Sequence, residues 1–143
     1  MPVRQAFGRI ALLVHVTILF SCSGSMARQT AIKAIGRMHD RLTAQEYTNL
    51  LHDTDLKLAD KEFVVRDLKN VREKLGGVRG FWPTYTEVSF GLTGCIVIVR
   101  GQLQFERGWA TEVSKWQIVG DHASLTDYRI DGPNQNRKDK ATP

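Results

Sequence analysis

The residues of this chain that have the chemistry for catalysis or ligation are few and scattered. Its four histidines are His15, His39, His52 and His122. Zinc needs three or four convergent nitrogen, sulfur or oxygen ligands, and none of these histidines has a second histidine or a carboxylate at a ligand spacing. His39 and His52 fall in helical pattern and His122 at a turn, so all three read as solvated side chains and no metal site is expected. The two cysteines, Cys22 and Cys95, are too few and too far apart for a disulfide framework or a metal-ligand pair. The run Gly76-Gly77-Val78-Arg79-Gly80 has the glycine density of a phosphate loop. It follows a helical pattern and opens none, so it lacks the helix N-terminus that cradles an anion. It reads as a helix stop and a turn, and no cofactor is expected. Phe81, Trp82 and Tyr85 cluster around Pro83. They either cover the end of a sheet as core, or line a ligand pocket or a partner patch.

Charge narrows the partners. The 143-residue chain carries a formal +5. Residues 1–21 contain Arg4 and Arg9 and no acid, so the remainder carries +3. That is ordinary solubilising charge, and nucleic acid is not an expected partner. Arg28, Lys33, Arg37 and Arg41 read as a solvated helix face, or as a face toward anionic headgroups.

The opening segment carries an address. Residues 1–9 are short and basic, and residues 10–20 (IALLVHVTILF) are apolar. Such a run suits the ~7–15 residues of a signal peptide and falls short of the ~20 that span a bilayer. Leu19-Phe20-Ser21-Cys22 resembles the lipobox of bacterial lipoproteins. In that family the cysteine becomes the first mature residue and carries acyl chains, so the resemblance implies lipidation at Cys22. Ser23 resembles the signal for outer-membrane sorting. Residues 1–21 are then a signal peptide and residues 22–29 a lipidated tether. The expected location is the outer membrane, anchored by lipid and facing the periplasm. The alternatives are a soluble periplasmic or secreted protein, or a true start at Met26. An acylated Cys22 leaves Cys95 alone as a small buried hydrophobe; an unmodified Cys22 in an oxidising compartment allows a Cys22–Cys95 bridge.

Periodicity supplies the elements that must position any site. Ala31, Ile35, Met38 and Leu42 recur at helical spacing. Thr43 and Glu46 match a capping box for a second, shorter helix through Tyr47, Leu50 and Leu51. Asp60 caps a third over residues 61–75, with Phe63, Val64, Leu68, Val71 and Leu75 as its stripe and Gly76-Gly77 as its stop. The period then becomes two. Residues 78–82 form a short strand stopped by Pro83, and residues 85–92, 95–105, 109–119 and 122–130 follow as a meander. Val113 falls out of phase with Trp116 and Ile118, and Leu125 with Tyr128 and Ile130. Two such slips predict bulges and a curved sheet. Residues 132–143 are polar and read as a disordered tail.

The expected fold is α+β, with N-terminal helices on a curved antiparallel meander of three to four strands across residues 30–131. Lys74-Leu75-Gly76, the pair Phe105 and Glu112, and the series Trp116, Leu125, Tyr128, Ile130 resemble the cystatin-like and nuclear-transport-factor-2-like cone folds of small bacterial envelope domains. Enzymes of that superfold often place an aspartate or histidine inside the cone. The resemblance therefore implies Glu112, Asp127 and His122 as candidate bases, with Tyr85 or Tyr128 as hydrogen-bond donors. Against this, Glu112 facing a basic strand residue such as Arg100 is the structural alternative. A fold of this kind hosts many functions. The leading expectation is a non-enzymatic binding or accessory module that meets a protein partner or small ligand. The rivals are an isomerase- or hydratase-like enzyme and a homodimeric structural subunit.

Overall fold

The computed structural model describes residues 23–132, apart from Asp53 and Lys57. The expected signal peptide, the lipidation at Cys22 and the tail beyond residue 132 lie outside the described residues.

Helix α1 spans Gly24–Thr43, and the Ser23 side chain caps it by accepting from the Met26 N–H at 3.2 Å. Its buried face is Ala27, Ala31, Ala34, Ile35, Met38, His39 and Leu42. This corrects the expected tether over 22–29: Ala27 continues the apolar stripe one turn toward the N-terminus, and residues from Gly24 onward belong to the packed helix. The three alanines let the helix backbone lie close to the sheet.

The second expected helix does not form. Gln45 adopts a left-handed φ of 63° and stops α1. The Thr43 hydroxyl caps no new helix and instead accepts from the Val78 N–H at 3.1 Å. Residues 44–52 are successive turns, held by the burial of Leu50 and Leu51. Thr54 then bridges Leu125 in parallel, and the Asp55 N–H donates to the Leu125 carbonyl at 3.0 Å.

Helix α2 spans Leu58–Leu75 and buries Val64, Leu68 and Leu75. Asp60 sits inside its first turn, where a carboxylate complements the helix dipole. Phe63, expected in the buried stripe, is exposed, with the Arg66 guanidinium 4.7 Å above its ring. Gly76 stops the helix at φ 84°. Both helices end on arginines from elsewhere in the chain, which satisfy last-turn carbonyls. Arg72 donates to the carbonyls of Leu42 and Thr43, and Arg107 to those of Glu73 and Lys74.

Four strands follow as an antiparallel meander in sequence order: β1 Val78–Gly91, β2 Gly94–Phe105, β3 Gly108–Val119 and β4 His122–Asp131. Both helices lie on one face of this open sheet, so the fold is α+β. Pro83 does not stop β1. An edge strand tolerates a proline, and an irregularity between Pro83 and Tyr85 absorbs it. Each hairpin turns through two residues, since Gly91 pairs with Gly94, Phe105 with Gly108 and Val119 with His122.

The two expected phase slips resolve differently. In β4 the slip is a bulge: Lys115 pairs with Asp127 and Trp116 with Leu125, which leaves Thr126 over. In β3 there is no slip. Strict alternation turns Ala110, Glu112, Ser114, Trp116 and Ile118 inward and Val113 outward. The apparent irregularity came from two polar residues occupying inward positions, and those two positions make the site.

Candidate functional site

The inward row of β3 places Glu112 and Ser114 under α1, completely and almost completely buried. A carboxylate buried there needs a partner, and α1 supplies it. His39 Nε2 lies 2.6 Å from Glu112 Oε2, with His39 only 5 % exposed. The pair ties the middle of the first helix to the third strand. His39 is therefore a core residue, contrary to its expected solvation. Sequence reading missed it because the residue sits one position beyond Met38 in an otherwise apolar stripe. The signal that was there is its place three residues before Leu42 and four after Ile35, on the same helix face.

The surroundings are aromatic and tight. Phe81 of β1 meets the His39 ring edge-on, with centroids 5.2 Å apart. Gly101 of β2, the register partner of Glu112, makes room for this: a Cβ there would fall 2.3 Å from Phe81 Cε2. Arg100 is consequently not the partner of Glu112. It lies opposite Val113 on the outer face and is exposed.

Tyr128 completes the cluster from β4, directly across from Ser114. Burial raises its pKa well above 10, and the adjacent Glu112 carboxylate adds to the rise through its charge and as an acceptor for the phenol. That contact is loose, because by strict geometry neither the Tyr128 hydroxyl nor Glu112 Oε1 completes a hydrogen bond. Ser114 Oγ and Trp116 Nε1 are likewise buried without a partner inside the protein. Four such atoms along one stretch of sheet form a polar seam in the core, the kind of place where internal water bridges groups in native proteins.

The sign of the tyrosine effect is testable. A phenol whose pKa is raised by folding adds stability below its unfolded pKa, and that contribution disappears as pH climbs toward the folded value. The wild type is expected to lose stability above about pH 10 faster than Tyr128→Phe. Urea titrations at several alkaline pH values read the difference directly, and parallel curves would contradict the buried, neutral phenol.

The other candidates stay apart. Asp127 pairs with Lys115 on the outer face and is exposed, and His122 is exposed at its turn. Tyr85 is exposed and donates to Glu87 Oε2 at 2.9 Å, which raises its pKa. Phe81 belongs to the core side, whereas Trp82 is exposed and faces Trp109 at 5.3 Å on the open side of the sheet. The structure thus unites Glu112 and Tyr128 and adds His39.

A shallow cleft opens between α1, the 50–54 turn and β4, lined by Arg37, Arg41, Leu51, Thr54, Trp116 and Leu125 among others. Neither His39 nor Glu112 lines it. Among the described residues no cluster of three or more His, Cys, Asp or Glu side chains is placed to hold a metal ion, and no helix is long and apolar enough to cross a membrane. Cys95, on the inward face of β2, is 1 % exposed and disulfide-bonded.

No protein-family model matches the chain, and no curated protein sequence matches it. Among solved structures, that of Bdellovibrio bacteriovorus Bd1075 is similar over 80 % of this chain and 44 % of its own, with a TM-score of 0.50 and 10 % identity. The chain therefore spans less than half of that protein, and at such identity the likeness speaks to the fold alone.

Proposed function

We propose that this chain is an exported cell-envelope protein whose domain, a cone of the cystatin-like or nuclear-transport-factor-2-like kind, serves as a non-enzymatic binding or accessory module. One observation carries the choice against an enzyme. The carboxylate best placed for chemistry, Glu112, is fully buried, engaged by His39 and separate from the surface cleft. A general base must reach its substrate's proton directly or through one water, and Glu112 is closed in by side chains. Export is supported by the signal-like residues 1–21 and by the disulfide at Cys95, since such bonds persist in oxidising compartments.

Fractionation of the producing cell tests the location, and recovery of the chain in the cytosol would remove the export reading. The activity question turns on Glu112→Gln, which keeps the side chain's shape. A folded Glu112→Gln protein is expected to complement a deletion strain as well as wild type. Failure of that folded variant would favour the isomerase- or hydratase-like reading.

A second reading, a structural homodimer through the open sheet face, draws on Ile96, Ile98 and Val113, half-buried there with no helix over them, and on the exposed Trp82–Trp109 pair. Light scattering on the exported protein distinguishes it from a monomer.

A further inference from the structure

We propose that the cleft between α1, the 50–54 turn and β4 binds a small monocarboxylate, of acetate to butyrate size, by its anionic head. The proposal deepens the reading of this domain as a binding module and rests on it. Arg37 and Arg41 line the cleft, and among the described residues no acidic side chain does. Arg37 is exposed, and neither arginine forms an ion pair among the described residues. The turn holds Arg41 in place, since its Nη1 donates to the Asn49 carbonyl at 2.9 Å. A guanidinium has five N–H donors in a fixed fork, so that bond leaves others for an incoming acceptor.

The same cleft is lined by polar groups that the protein leaves unsatisfied. Trp116 lines it at 3 % exposure, and its indole Nε1–H is buried with no partner. Thr54 lines it too, and its Oγ1 is likewise buried and unpartnered. Trp116 is the member of the polar seam that belongs to this cleft; Glu112, Ser114 and Tyr128 do not line it. An indole N–H only donates, so what it lacks is an acceptor, and leaving it unmade is costly. Two guanidinium groups beside it favour an acceptor that carries negative charge. Size follows from the room available. The interior of the cleft offers about 20 Å³, space for one water-sized group at a time. One carboxylate oxygen suits that space, with the other held by an arginine fork. A phosphate would have to shed far more of its hydration to enter. Met38 and Leu51, also in the lining, suit a short alkyl body rather than a second charge.

The experiment titrates the purified protein with sodium butyrate and follows the indole N–H resonances of its tryptophans by NMR. Trp116→Phe identifies which resonance belongs to Trp116. That resonance is expected to move saturably, with a Kd of about 1–10 mM for so small a ligand. Trp82 and Trp109, on the open side of the sheet, are expected to stay still. Arg37→Gln removes an exposed charge without touching the core, and is expected to weaken binding about tenfold. Sodium chloride and sodium phosphate at matched ionic strength are expected to leave Trp116 unmoved. No saturable movement with butyrate, an equal response to chloride or phosphate, or full affinity in Arg37→Gln would each overturn the proposal and leave the binding-module reading standing. That reading falls on a different result, the failure of folded Glu112→Gln to complement the deletion strain.

Discussion

Alanine at either His39 or Glu112 is expected to cost about 3–5 kcal/mol of folding stability, the range seen when one member of a buried ion pair is removed. The cause is the group left behind. In His39→Ala the Glu112 carboxylate stays fully buried and its one close partner is gone; in Glu112→Ala the imidazole is left against Phe81 with no acceptor. The same reasoning predicts strong non-additivity. Replacing both residues with apolar ones of similar size, His39→Leu with Glu112→Met, removes both buried polar groups together and is expected to recover most of the loss. Urea unfolding of the four proteins closes the cycle. Single variants within about 1 kcal/mol of wild type would mean that the pair is not desolvated as described.

How much of this was legible in the sequence depends on which residues carried the signal. The second strand was plain, because an apolar run from Cys95 to Val99 is followed by alternation with Leu103 and Phe105 inward. So was the stop at Gly76, where the backbone takes a conformation that glycine adopts freely. The Thr43–Glu46 capping box misled because a capping hydroxyl is only an acceptor, and the Val78 N–H, more than thirty residues away, claimed it. The third strand misled for a deeper reason. Periodicity assigns inward positions to apolar residues, and β3 turns Glu112 and Ser114 inward. Local pattern does not reveal that His39, on a helix more than seventy residues earlier, makes the burial of Glu112 tolerable. Half of the site was therefore visible as a candidate carboxylate, and its partner was hidden in an amphipathic stripe that looked complete without it.

Reducing the disulfide at Cys95 is expected to be the other large effect, about 2–4 kcal/mol, the range in which a crosslink stabilises a fold by limiting the unfolded chain. Cys95→Ala also trims a side chain packed at 1 % exposure on the inward face of β2. Its stability should therefore fall somewhat below that of the reduced wild type, and reductant should add nothing further to it. Urea unfolding of both proteins with and without reductant reads the difference. A wild type unmoved by reductant would show that the crosslink does not restrict the unfolded chain, and that the sulfur counts for its packing alone.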